Sequence, residues 1–132
     1  MLNLSKNKLG NIGCEVICKS MKKNNSLKYL DMSDNQIEDK GLFHAAKMLG
    51  ENNSLQVLDL SGNNFEGTVL SQFANGFTNP DSSLYLLKLG QIRGSPDLIH
   101  DFISRTLPTR SNFLLCHLET PHYQHPSITR LN

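Results

Sequence analysis

Two aspartates, Asp31 and Asp59, occupy the third place of the matching hexapeptides YLDMSD and VLDLSG. If those hexapeptides are neighbouring strands about 4.8 Å apart, the two carboxylates lie side by side at roughly the separation a retaining glycosidase uses. Nothing nearby implies a pocket, so the pair reads instead as a ladder facing solvent or a partner. Cys116, His117, His122 and His125 are zinc-ligand types. Their CH-x4-H-x2-H spacing matches no closed site, and two ligands adjacent in sequence hinder a tetrahedral arrangement, so no metal is assigned. Cys14 and Cys18 form a CxxxC pair, but they fall on an apolar helical stripe and are expected to be core thiols. His44 is expected to be solvated on the opposite face of its helix. The remaining histidines lie largely near the C-terminus, and no Ser–His–Asp set can be placed. We therefore assign no catalytic residue and no cofactor, and the chain is not expected to be an enzyme.

The frame around those aspartates recurs. Leu30, Met32, Asn35, Ile37, Gly41 and Leu49 align with Leu2, Leu4, Asn7, Leu9, Gly13 and Met21 on one side, and Leu27, Leu30, Met32 and Asn35 with Leu55, Leu58, Leu60 and Asn63 on the other. Self-similarity at a fixed period of this size is the signature of a solenoid. The first half of each copy reads L-x-x-L-x-L-x-x-N, the alternation of a short strand with leucines inward. Strands are expected near Leu2–Ser5, Lys28–Ser33, Gln56–Ser61 and Tyr85–Leu89. Asn7, Asn35 and Asn63 follow the strands, where a buried amide can satisfy loop N–H and C=O groups of adjacent coils.

The second half is helical. Gly41, Leu42, Ala45, Ala46 and Leu49 form one apolar stripe; Gly13, Cys14, Ile17, Cys18 and Met21 repeat it, as do Val69, Leu70, Phe73, Ala74 and Phe77. The copies run over 1–26, 27–54 and 55–83, with a partial fourth over 84–92 in which Ile92 stands where the asparagine is due. Residues 91–107 are expected to hold a capping helix, begun by Ser95-Pro96-Asp97 and carrying Leu98, Ile99, Phe102, Ile103 and Leu107. Residues 108–132, with Pro108, Pro121 and Pro126, are expected to be a poorly ordered tail.

A chain of 132 residues with net charge +1 is the size of one domain and carries no electrostatic signature of nucleic acid or of an anionic membrane. No apolar run approaches a membrane span. Three cysteines without a spaced framework fit a reducing compartment, and the cytoplasm is the expected location. The sequons at Asn3, Asn24 and Asn52 coincide with positions that the repeat itself requires.

The LxxLDLSxN pattern, followed by a glycine and by NNSL, resembles the ribonuclease-inhibitor-like class of leucine-rich repeats from Met1 to about Leu89. Proteins similar in this way include ribonuclease inhibitor, the repeat domains of nucleotide-binding innate-immune receptors, Ran GTPase-activating protein, the tropomodulin actin-capping family and several repeat-only proteins, and the chain most resembles the intracellular repeat-only members. The resemblance implies an α/β solenoid, a horseshoe segment of about three and a half 28-residue repeats, with parallel strands on the concave face and helices on the convex one. It implies a non-catalytic protein–protein interaction module. Two alternatives stand beside it: regulation of a small GTPase by docking, and a fragment or isoform that assembles through its open ends, including end to end with its own copies. The exposed strand positions are the binding candidates: Tyr29, Asp31, Asp34, Val57, Asp59 and Lys88, an aromatic and apolar set beside charges. The expected partner is a protein, not nucleic acid or membrane, and the acidic centre would favour a basic patch on it.

Overall fold

The computed structural model describes residues 1–72, 79–94, 96–106 and 115–119. Five strands form one parallel sheet in chain order: β1 (Leu2–Asn3), β2 (Tyr29–Asp31), β3 (Val57–Asp59), β4 (Leu86–Gln91) and β5 (Leu115–Glu119). Between them run the helices α1 (Gly10–Met21), α2 (Asp39–Glu51) and α3 (Pro96–Thr106). Register follows the sequence period: Leu2 pairs with Leu30, Leu30 with Leu58, and Leu58 with Leu87. Each strand therefore stacks its inward leucine on that of the coil before it.

The core fills the space between sheet and helices. Leu30, Met32, Ile37, Leu58, Leu60 and Phe65 from the strand halves are fully buried against Leu42, Ala45 and Leu49 of α2. Each large side chain of this set contributes about 1.5–3 kcal/mol. Cys14, Cys18 and Met21 close the same core from α1. In the third copy Val69 and Leu70 pack on it, while Phe73, Ala74 and Phe77 lie outside the described residues. Ile99 and Phe102 of α3 extend it at the other end; Ile103 and Leu107 lie outside the described side chains.

After β1, β2 and β3 one slot is left-handed: Lys6 (φ 60°), Asp34 (φ 54°) and Gly62 (φ 71°). That conformation turns the chain off the sheet towards its helix, and glycine or aspartate adopts it more readily than lysine. Within residues 108–132, expected to be a poorly ordered tail, Leu115–Glu119 pairs in parallel with β4, with an irregularity between Lys88 and Gly90, and the rest of that segment lies outside the described residues. Leu115, Cys116 and Leu118 of β5 supply an apolar strand content, and β4 offers it an edge.

Candidate functional site

Four parallel strands, β1 to β4, set two rows of side chains across one face of the sheet. Asn3, Asp31, Asp59 and Lys88 are successive partners in one row; Tyr29, Val57 and Leu86 are partners in the other. Asp31 and Asp59 are thus adjacent, as the repeat spacing requires. Each is held by the serine two residues on. Asp31 Oδ1 accepts from the Ser33 amide at 2.9 Å and hydroxyl at 2.6 Å, and Asp59 Oδ1 from those of Ser61 at 3.0 and 2.5 Å. Asn3 does the same for Ser5. Lys88 Nζ lies 4.0 Å from Asp59 Oδ2. Both carboxylates already hold their own turns, an arrangement that suits a rigid ladder better than a nucleophile and its acid.

Exposure differs within this set. Tyr29, Asp31 and Lys88 are half-buried and Asp34 is exposed, whereas Val57 and Asp59 keep only 5% and 8% of their surface. The sequence alternation placed all of them outward. On the central strand, flanking side chains crowd from both sides: Tyr29 and Leu86 about Val57, Asp31 and Lys88 about Asp59. A partner would therefore touch Tyr29, Asp31, Asp34 and Lys88 directly and meet Val57 and Asp59 as a floor. Asp34 owes its position to Gly62, where an added Cβ would lie 2.0 Å from Asp34 Oδ1.

Behind this face the asparagines join coil to coil. Asn35 Oδ1 accepts from the Asn7 and Leu9 amides at 2.8 and 3.3 Å, and its Nδ2 donates to Leu4 and Ser33 carbonyls, both at 2.9 Å. Asn63 repeats the pattern with the Asn35 and Ile37 amides and the Met32 and Leu60 carbonyls. Each asparagine thus serves the coil before its own. Asn7 donates only within its own turn, to the Leu4 and Ser5 carbonyls.

Two further ladders escaped the sequence reading. At the opposite end of the coils, Asn52 Nδ2 donates to the Met21 and Asn24 carbonyls, and Asn79 Nδ2 to those of Leu49 and Asn52, satisfying the ends of α1 and α2 from the next coil. The sequence trace of Asn52 was the NNS it shares with Asn24, legible as a period but not as a cap, whereas Asn79 stands in NPDSS. The second ladder caps helix starts across coils. Asn11 Oδ1 accepts from the Glu38 and Gly41 amides that open α2, at 2.8 and 3.0 Å. Asp39 accepts from the Glu66 and Thr68 amides and the Thr68 hydroxyl. Asp39 stands beside Glu38, Lys40, Asn64, Glu66 and Arg93 on the rim in a groove of about 570 Å³.

On the convex side, Cys14 and Cys18 are fully buried, their sulfurs 3.8 Å apart, with the Cys14 thiol 3.4 Å from the Gly41 carbonyl. The hydrogen bond from Cys14, reinforced by burial, pushes the Cys18 thiol far above its usual range. His44 is not simply solvated: it is half-buried, its Nε2 3.6 Å from Glu15 Oε2 and its ring edge-on to Phe43. Glu15 is held below the ordinary carboxylate range by its hydrogen bond to Lys19, then by the charges of Lys19 and His44. Cys116 and His117 lie in β5, while His122 and His125 fall outside the described residues. Among the described residues no three histidine, cysteine or acidic side chains cluster as a metal site, and no helix is long and apolar enough to cross a membrane.

Parallel strands in register, helices on the other side and asparagines between coils define an α/β solenoid. Sequence comparison agrees with this architecture. Leucine Rich repeat family patterns match residues 2–18 and 23–43, and a second Leucine Rich Repeat pattern matches 54–76. The fold is therefore that of a leucine-rich-repeat solenoid. Among solved structures, one described as "Leiomodin-1 Actin-Binding Site 2 (ABS2)" is similar with a TM-score of 0.80 at 15% identity, over 91% of this chain and 70% of that one. At that identity the likeness concerns the fold. No curated protein matches the sequence.

Proposed function

We propose that this chain is a non-catalytic protein-interaction module that binds its partner across the concave face, with Tyr29, Asp31, Asp34 and Lys88 as contacts around a floor of Val57 and Asp59. The observation that carries this reading is that the acidic row is held before any partner arrives. Asp31 and Asp59 are fixed by Ser33 and Ser61, on strands held by a buried asparagine ladder. A preorganised surface loses little side-chain freedom on binding, so more of its contact energy appears as affinity. The finer assignment to the ribonuclease-inhibitor-like class rests on the LxxLDLSxN pattern and the 28-residue period. A cytoplasmic location is supported by the two buried, unpaired thiols.

Three acidic side chains near the centre favour a basic partner surface. The structure similar to this one carries actin binding in its description, which makes actin the first protein to test. The experiment is co-sedimentation with filaments and titration with monomers, alongside affinity capture from cell extract, using the native chain and a Tyr29→Ala, Asp34→Lys double variant. The expected result is a protein bound by the native chain and lost, at unchanged melting temperature, by the variant. Equal capture by both chains would refute the concave-face assignment. Regulation of a small GTPase has no observation here to favour it.

A further inference from the structure

We propose that the partner segment taken up by the concave face is an amphipathic α-helix lying across the strands, one helical turn over each coil. The inference rests on the concave-face reading above and names what that face binds. The face is striped along the direction of stacking. One row, Tyr29, Val57 and Leu86, is aromatic and apolar, and the register carries it on to Leu115 of β5. The other, two residues further along each strand, is Asp31, Asp59 and Lys88, and the register carries it on to His117. The rows lie about 6.7 Å apart, since each residue advances a strand by about 3.3 Å. Val57, the shortest member of its row, keeps only 5% of its surface between the half-buried Tyr29 and Leu86. It is the low point of that row.

Spacing selects the occupant. Neighbouring strands lie about 4.8 Å apart, and successive turns of an α-helix about 5.4 Å. From Tyr29 to Leu86, two strand steps, helix and row therefore drift apart by only about 1.2 Å. An extended chain laid along the same row presents same-side residues every 6.6–6.8 Å or so and drifts by about 4 Å, close to one whole strand. A helix keeps an apolar residue on this row turn after turn, and an extended chain does not. Charge sets the neighbouring stripe. Asp31 Oδ1 is taken by Ser33, and among the described residues nothing donates to its Oδ2. Asp59 Oδ2 faces Lys88 Nζ at 4.0 Å, beyond hydrogen-bond reach. Bases in two successive turns meet these oxygens, and an acid one turn later meets Lys88. Right-handed strand–helix–strand connections fix which side of such a helix lies over the charged row. Run from β2 to β4, it carries its bases one residue before its apolar contacts, not one after. The apolar row supplies contact area, and the charges set direction.

The probe is a helical peptide of about four turns, stapled on its outer side so that little ordering entropy is lost on binding. Three leucines, spaced four and then three residues apart, form its contact stripe. A lysine precedes each of the first two leucines and a glutamate precedes the third. Two controls share this composition. One places each charge after its leucine, and the other alternates leucines with polar residues and is kept extended by proline. Fluorescence anisotropy on the native chain should show the first peptide binding at least about tenfold more tightly than either control. Asp31→Asn keeps an acceptor for Ser33, as Asn3 does for Ser5, and should weaken that peptide about fivefold at unchanged melting temperature. Lys88→Glu should reverse the preference, favouring a peptide whose glutamate is replaced by lysine. An extended control that binds as tightly as the helix would overturn the inference, as would the absence of any binding below about 1 mM. So would equal binding of the two helical peptides, or a preference that neither Asp31→Asn nor Lys88→Glu changes. The concave-face reading is tested apart from this: it falls if the Tyr29→Ala, Asp34→Lys variant still captures the protein partner. It stands alone if that capture is lost while the peptides show no preference for the helix.

Discussion

Replacing Asn63 by alanine tests the physical account of how the coils are joined. Its Oδ1 accepts the Asn35 and Ile37 amides, both at 2.9 Å, and its Nδ2 reaches the Met32 carbonyl at 3.1 Å in the preceding coil. Asn35, Ile37 and Met32 are fully buried, so water does not simply replace the amide. An orphaned buried donor or acceptor costs about 1–3 kcal/mol. Three of them make roughly 3 kcal/mol the least expected loss, against a total stability of about 5–15 kcal/mol for a domain. With a urea m-value of about 1–3 kcal/mol/M, the midpoint should fall by about 1–3 M. Asn35→Ala should cost less, because the Asn7 and Leu9 amides it serves lie in a partly exposed coil. Asn7→Ala, which deprives no neighbouring coil, should stay within about 0.5 kcal/mol. The assay is urea denaturation followed by circular dichroism, with exchange of the Asn35 and Ile37 amides as the local readout. Equal costs at all three positions, or an Asn63→Ala protein as stable as the native one, would refute the reasoning.

Asn11→Ala should destabilise by about 0.5–2 kcal/mol and speed exchange at Glu38 and Gly41, since α2 has no side-chain cap from its own N-cap residue and draws one from the first coil. Exchange measured by mass spectrometry on peptides spanning 36–43 checks it. Gly41→Ala should cost about 1–3 kcal/mol by overpacking, because the new Cβ would lie 2.4 Å from Ile37 Cγ2 and 3.0 Å from Asn11 Oδ1; a melting temperature at or above the native value would contradict this. The Cys18 thiol should resist alkylation at pH 8 until the chain unfolds, because Cys14 and burial hold it protonated. For the same thiol, the folded pKa lies above the unfolded value of about 8.5, so the unfolded chain releases its proton first. Stability should be unaffected by this group below that value and fall as pH rises beyond it, and Cys18→Ala should flatten that fall in a pH series of urea midpoints.

By itself the sequence determined the solenoid. Leucines at strand spacing, stripes at helical spacing and asparagines in phase leave one way to bury the apolar set, so the first four strands, their register and the core between them were legible from spacing alone, whereas β5 was not. Asn35 and Asn63 were legible for the same reason: an amide that recurs after every strand has only neighbouring backbone to serve. What spacing could not express was which coil each group serves, because that depends on how far one coil rises over the next. The cross-coil caps from Asn11 and Asp39 and the helix-end bonds from Asn52 and Asn79 connect residues 27–31 positions apart. A linear reading takes such residues for ordinary polar loop positions. Exposure on the candidate face was equally hidden. Alternation set Val57 and Asp59 outward, but the crowding that buries them comes from Tyr29, Leu86, Asp31 and Lys88 on two other strands, and only the tertiary structure brings those against the central one.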